Sequence, residues 1–164
     1  MAEKAQAPTW GEGAVADRLA ELGLERPAVA APVGSYVPAI RDGDLVLTSG
    51  QLPFVAGSLP ATGKVGAEVS AERAQELARV CAVNAVAAVH ELIGDLDRVA
   101  QVVKVVGFVA SDPSFTGQPG VLNGASDVLA EIFGEAGRHA RSAVGVAVLP
   151  LDAPVEVEIT VRVR

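Results

Sequence analysis

The sequence predicts an α+β domain in which a mixed β-sheet carries two long helices on one face. Two long segments have helical periodicity, and five segments are rich in β-branched residues, in the order β-β-α-β-α-β-β. The strand–helix–strand connections need parallel strands, whereas hairpins need antiparallel ones, so the sheet must be mixed. With 164 residues, half of them hydrophobic, the chain is long enough for one domain with its own core.

The first elements are short. Residues 1 to about 13 are rich in glycine, proline and alanine, and we expect them to be loose. Residues 15–22 form an amphipathic pattern that Gly23 ends. After a linker with two prolines, residues 36–40 and 45–49 are predicted strands around Asp42-Gly43, a strong hairpin signal.

The remaining elements follow from caps and periodicity. Ser70 can cap a helix that runs to about residue 93 and ends at Gly94. Residues 99–110 are predicted to form a central strand, and residues 119–133 a second long helix. The last strands, 142–149 and 155–163, are predicted to form a second hairpin with its turn at 150–154.

One sheet face is left uncovered by this arrangement. Both long helices should lie on one side, and Val144, Val146 and Val148 predict that the other side is apolar. Because a large exposed apolar face indicates a partner, we expect a homo-oligomer.

Composition argues against several functions. A net charge of −7 and a pI of about 4.8 predict no nucleic-acid partner. Neither a signal peptide nor an apolar span is recognisable, so we expect no membrane contact and a cytoplasmic location. Cys81 has the setting of a core thiol, and His90 and His139 lack the spacing of a zinc site, so no metal is predicted. The spacing of Gly57 to Lys64 does not fit a phosphate-binding loop.

The segment 138–158 carries the main candidate for chemistry. Arg141 begins a strand of small and apolar residues, and a guanidinium is suited to a carboxylate or a phosphate. An alternative is a structural arginine bonded to a carbonyl or carboxylate of its own chain. Glu156 and Glu158 stand two residues apart, so both should point to one sheet face. Periodicity alone does not decide which of them is functional, although Glu158, beside Thr160 and Arg162, better fits a solvated or structural role.

Several motifs together resemble the RidA/YjgF family of enamine and imine deaminases, from about residue 32 to the end. The motifs are Pro32-Val33-Gly34-Ser35-Tyr36-Val37, Leu47-Thr48-Ser49-Gly50-Gln51-Leu52-Pro53, Lys64-Val65, Asn84, Leu96-Asp97-Arg98-Val99, Asn123, Ala140-Arg141-Ser142, Leu149-Pro150 and Val155-Glu156-Val157-Glu158. The resemblance implies a chorismate-mutase-like fold and a homotrimer whose three sheets form an inner barrel. It also implies ligand clefts between subunits and no cofactor.

The resemblance also implies roles for particular residues. Arg141 would hold the substrate carboxylate, and Glu156 would be associated with the attacking water. Tyr36 and Asn123 would line or border the cleft, and the segment with Ser49 and Gly50 would add backbone contacts. Ala143 would also lie in the substrate-binding strand, at a position that is often cysteine in deaminating members. The implied reaction converts a 2-imino acid and water into a 2-oxo acid and ammonia.

Residues 1–31 have no counterpart in compact members, so we divide the chain into an N-terminal extension (1–31), which contains the short helix, and a RidA-like domain (32–164). Two other functions remain open. One is a non-catalytic small-carboxylate-binding or regulatory protein. The other is a ribonuclease or translation inhibitor, against which the acidic charge counts.

Overall fold

The computed structural model describes residues 8–31 and 34–164, which form three helices and five strands. The elements are α1 (Ala14–Glu21), β1 (Ala39–Asp42), β2 (Leu45–Thr48), α2 (Ala71–Ile93), β3 (Val99–Ala110), α3 (Gln118–Phe133), β4 (Ala140–Val146) and β5 (Val155–Val163). Short 3-10 turns lie at Leu96–Arg98, Gly134–Gly137 and Pro150–Asp152. The predicted order of strands and long helices is confirmed.

The predicted caps and the first hairpin are present. Ser70 Oγ accepts a hydrogen bond from the backbone N–H of Arg73 at 3.1 Å, and Gly94 ends α2 with a φ of 75°. In the hairpin Asp42 pairs with Leu45 across a two-residue turn, where Gly43 takes a φ of 61°. Strand β1 therefore starts three residues later and ends two residues later than the predicted 36–40, and β2 ends one residue before the predicted 49.

The sheet is mixed, in the order β1-β2-β5-β3-β4, and β3 with β4 is its parallel pair. The prediction of a second hairpin, between the last two strands, is wrong, because β3 lies between β4 and β5. Helix α3 returns the chain to the outer edge of β3, so β5 fills the gap between β2 and β3. Five valines and isoleucines of β5 face the helices and are buried, which suits this central place: Val155, Val157, Ile159, Val161 and Val163.

Strand β4 begins and ends earlier than residues 142–149. Its register runs from Ala140 opposite Lys104 to Val146 opposite Ala110. Because β3 ends at Ala110, residues 147–149 pair with no strand in the described part of the chain.

Helices α2 and α3 pack on the same face of the sheet and enclose the core. Leu77 and Val86 of α2 meet Leu122 and Leu129 of α3 in this core, and all four side chains are at most 1% exposed. Within the described residues, neither these helices nor α1 is long and apolar enough to cross a membrane.

The N-terminal segment shares this core. Trp10 is 8% exposed, and its indole N–H donates to Leu24 O at 2.7 Å. The prediction that residues up to about 13 are loose is therefore wrong at Trp10, because burying the indole removes a large apolar surface from water. Asp97 accepts hydrogen bonds from the first amides of α1, those of Ala14 and Val15, at 2.8 Å each. Residues 1–7 lie outside the described part, and the division at residue 31 stays a prediction.

The face away from the helices is not purely apolar, contrary to the prediction. The residues of β5 that point there are Glu156, Glu158, Thr160 and Arg162, as the alternating burial of this strand indicates. Apolar side chains share the face, among them Phe108 opposite Glu156 and Val144 opposite Phe108. A partner for this face would have to contact both its charged and polar side chains and its apolar ones.

Candidate functional site

Arg141 points to the helix side of the sheet, where α3 holds its guanidinium. One terminal nitrogen, Nη1, donates to Asn123 Oδ1 at 3.0 Å and to Ser126 Oγ at 3.1 Å. The other, Nη2, donates to Pro119 O at 3.1 Å. The structural alternative for Arg141 is therefore partly right, since a carbonyl of its own chain does accept from it.

These bonds orient Arg141 without using all of its donors. A guanidinium has five N–H groups. Three are committed here, so Nε–H and one Nη2–H remain free of partners within the described residues. Two free donors on one rigid plane are suited to bidentate binding of a carboxylate.

Two neighbouring residues complete what we call the arginine cluster (Arg141, Asn123, Ser126 and His139). His139 Nδ1 lies 2.6 Å from Gly137 O, and His139 Nε2 lies 2.9 Å from Ser126 Oγ. Because a carbonyl only accepts, Nδ1 carries the hydrogen, and in the neutral ring Nε2 accepts from the Ser126 hydroxyl. Sequence reasoning missed Ser126, although its i,i+3 spacing from Asn123 was a usable signal.

Glycine at position 124 lets α3 pack close to α2. We call the part of α3 that supports Arg141, from Asn123 to Ser126, the platform. A Cβ on Gly124 would lie 1.9 Å from the backbone oxygen of Gln75. The missing side chain at Gly124 therefore sets the distance between α3 and α2, and with it the position of Asn123 and Ser126 relative to β4.

Glu156 lies on the opposite, open face of the sheet, as does Glu158, which confirms the predicted shared face. A Cβ added to Gly50 would lie 1.8 Å from Glu156 Oε1, so any other residue at position 50 would displace this carboxylate from where it lies. Among the described residues no hydrogen bond or ion pair to Glu156 is found. Partial burial, and secondarily the nearby Glu158 charge, raise the pKa of Glu156.

Two other predicted site residues, Ser49 and Tyr36, lie near Gly50. Ser49 Oγ donates to Val37 O at 2.6 Å, so this hydroxyl is used locally. Tyr36 is 50% exposed and, with Gly50, lines a small cavity of about 50 Å³. We call Glu156, Gly50, Ser49 and Tyr36 the glutamate cluster.

The two clusters do not meet within one chain. Arg141 shares a register row with Val105, and Glu156 with Phe108, three residues along β3. The rows are thus roughly 10 Å apart along the strands, and β4 and β5 are about 10 Å apart across the sheet. The side chains also project from opposite faces, so a site that uses both needs a second copy of the chain.

Ala143 lies two residues after Arg141 on the helix side and is half-buried against the core. Asn84 is used structurally, since its Nδ2 donates to the backbone oxygens of Leu52 and Phe54 at 3.0 and 3.2 Å. It anchors the loop that follows Gly50.

A larger cavity of about 750 Å³ lies between residues 24–31, the loop at 54–57 and the middle of α2. None of the predicted site residues lines this cavity.

Comparison with known proteins agrees with the fold and the motifs. Residues 16–161 match the model of the YjgF/chorismate mutase-like family, whose description also carries an endoribonuclease label. The chain therefore belongs to the YjgF/RidA family and has its chorismate-mutase-like fold.

Three similar proteins show the range of sequence identity. Protein TCP17 of Trypanosoma cruzi is 48% identical over 93% of this chain and 96% of its own. The 2-iminobutanoate/2-iminopropanoate deaminase of Escherichia coli is 36% identical over 80% of this chain and 91% of its own. The crystal structure of Atu1372 from Agrobacterium tumefaciens, a protein of unknown function, is similar with a TM-score of 0.84 and 46% identity, covering 92% of this chain and 93% of that one.

Proposed function

We propose that this protein hydrolyses reactive 2-imino acids to 2-oxo acids and ammonia, in clefts between the copies of a cytoplasmic homotrimer. One copy would supply the arginine cluster, and a neighbouring copy the glutamate cluster. The observation that carries this proposal is the oriented guanidinium of Arg141 with two uncommitted N–H groups. The similarity to the deaminase of Escherichia coli supports the choice of reaction.

The geometry suggests a division of work. Arg141 binds the substrate carboxylate and fixes the orientation of the imine carbon. Glu156, from the neighbouring copy, holds the attacking water by accepting a hydrogen bond from it. Water adds to the imine carbon, and loss of the C–N bond from the resulting carbinolamine releases ammonia. The residues described need no cofactor for this chemistry.

The first experiment measures ammonia release from freshly generated 2-iminobutanoate, against spontaneous hydrolysis in the same buffer. We expect an enzyme-dependent acceleration that is proportional to protein concentration. No acceleration with 2-iminobutanoate or 2-iminopropanoate would contradict the proposal.

The second experiment measures the mass in solution by light scattering. A homotrimer has three times the chain mass of 16.7 kDa. A stable monomer would leave the two clusters apart and would contradict the intersubunit cleft.

A second candidate is a carboxylate-binding protein without turnover. The observation in its favour is the methyl group of Ala143, at a position where the family resemblance implies that cysteine is frequent in deaminating members. Calorimetric binding of 2-oxobutanoate together with absent deamination would favour this candidate over the enzyme.

A further inference from the structure

We propose that Ser126 and His139 form a proton relay in the arginine cluster, with Ser126 as a catalytic residue and His139 as the residue that positions and reloads it. This inference rests on the proposed deaminase function and deepens it. It assigns the proton transfers that neither Arg141, a permanent cation, nor a bound water can complete alone.

The contacts form one continuous chain. Gly137 O accepts from His139 Nδ1, which leaves Nε2 to accept from the Ser126 hydroxyl at 2.9 Å. Ser126 Oγ in turn accepts from Arg141 Nη1 at 3.1 Å. A hydroxyl that contacts both an imidazole and the carboxylate-binding cation sits where a substrate proton could enter or leave.

The arrangement has the parts of a nucleophile–base pair, but the environment of Ser126 favours proton transfer over attack. Arg141 donates into the oxygen that would have to attack, which lowers its nucleophilicity. Ser126 also lies in the middle of α3, where the backbone amides are used by the helix and cannot stabilise an oxyanion.

The partial exposure of both residues fits this role. Ser126 and His139 are each intermediate in burial, while Asn123 beside them is exposed. Ser126 and His139 are therefore within reach of solvent, with Ser126 bonded to Nη1 and the free donors of Arg141 on Nε and Nη2. The imine nitrogen of a 2-imino acid is two bonds from the carboxyl carbon, so the relay requires that a carboxylate bound by Arg141 leave this nitrogen within reach of Ser126, directly or through one water.

The proton steps balance as follows. As the water oxygen bonds to the imine carbon, one water proton passes to Ser126 Oγ, the Ser126 proton passes to His139 Nε2, and the C=N π pair moves to nitrogen. The imidazolium then returns a proton through Ser126 to that nitrogen, giving the carbinolamine. In the second cycle the hydroxyl proton follows the same route, the C–N bond breaks with its pair on nitrogen, and ammonia and the 2-oxo acid leave.

The test compares Ser126→Ala, His139→Gln and the double variant with the wild type, by steady-state deamination of 2-iminobutanoate. We expect each single variant to lower kcat at least tenfold with little change in KM. The double variant should lose no more than either single variant, because one relay is broken only once. Purely structural roles would give additive losses or a raised KM, and that result would overturn the relay.

Two further variants guard against a folding artefact. Ser126→Thr keeps the hydroxyl and should retain most of kcat, whereas its failure to do so would count against the relay. His90→Gln makes the same exchange at the chain's other histidine, which contacts Trp10 O and not the cluster; its kcat should equal the wild type.

The outcomes also separate this inference from the proposed function. An active wild type with unaffected Ser126→Ala and His139→Gln variants overturns the relay alone. A wild type without deaminase activity overturns the proposed function, and the relay with it.

Discussion

The arginine cluster and the glutamate cluster differ in how completely the chain satisfies their charged groups. Arg141 makes three hydrogen bonds to α3, and its neighbour Ser126 is bonded to His139. Glu156 is partly buried, and its carboxylate has no hydrogen-bond donor among the described residues of its own chain. The Arg141 guanidinium is held in a defined orientation, whereas the Glu156 carboxylate is partly desolvated without a hydrogen bond to compensate.

This difference indicates what each cluster would contribute to the proposed cleft between copies. Bonds within the chain make Arg141 ready to bind before any ligand arrives, which reduces the ordering cost of binding. Burial destabilises the charged form of Glu156 and so raises its pKa. A hydrogen bond from a water, a ligand or a neighbouring copy would therefore stabilise its carboxylate. Folding of a single chain thus orients Arg141 on one face of the sheet and leaves Glu156, on the other face, without a hydrogen-bond donor among the described residues.

The platform of the arginine cluster can be broken by Gly124→Ala. The added methyl would meet the backbone oxygen of Gln75, which cannot move away as a flexible side chain could. We expect the free energy of unfolding to fall by about 1–3 kcal/mol, as for other overpacked sites, and carboxylate binding to weaken as α3 shifts. Urea unfolding followed by circular dichroism measures the first effect, and calorimetry with 2-oxobutanoate the second.

Gly120→Ala is the matched control in the same helix. A Cβ there meets no atom within 4 Å, so the substitution should leave the free energy of unfolding unchanged or raise it slightly. Equal effects of the two variants would show that close packing at Gly124 does not set the platform.

The donor geometry of the arginine cluster can be tested by Arg141→Lys. The charge remains, but a single ammonium cannot both bind α3 and offer two parallel N–H groups. We expect 2-oxobutanoate to bind more weakly by about 1–3 kcal/mol in calorimetry.

Arg162→Lys, on the open face beside Asp44, controls for a general loss of guanidinium groups. Unchanged affinity in Arg141→Lys would show that the carboxylate does not use the fork and that Arg141 is structural.

Local chemistry made much of the fold predictable. Ser70, Gly94 and the Asp42-Gly43 turn fix where elements begin and end, because each signal acts over a few residues. The place of β5 was not predictable in this way. Adjacent strands in sequence often form hairpins, and only the return of α3 to the outer edge of β3 sends the last strand to the centre.

In the candidate site, too, the identity of single residues was predictable and their arrangement was not. Arg141, Asn123 and Glu156 could be nominated from the sequence by residue type and resemblance, but their roles stay predictions. That Arg141 and Glu156 lie on opposite faces follows from register in three dimensions, which a sequence of alternating residues leaves open. The spacing of Ser126 from Asn123 places both on one face of α3, but only the structure shows that this face lies against Arg141.

The smallest expected effect concerns the pH dependence of stability, tested with Glu156→Gln. Since burial raises the pKa of Glu156 above its ordinary value of 4.5, the folded protein binds this proton more tightly than the unfolded chain. Stability is therefore lost as pH rises from below that value through the pKa of the folded state. The glutamine variant lacks this loss, so its melting temperature should match the wild type in acid and exceed it slightly near pH 7.

Glu158→Gln removes a charge from the same face and isolates the contribution of burial at Glu156. If a neighbouring copy supplies a donor or a cation to Glu156, the sign reverses and the glutamine variant melts below the wild type at neutral pH. The sign of this one difference thus decides whether the glutamate cluster stays unsatisfied in the assembled protein or is completed by another copy.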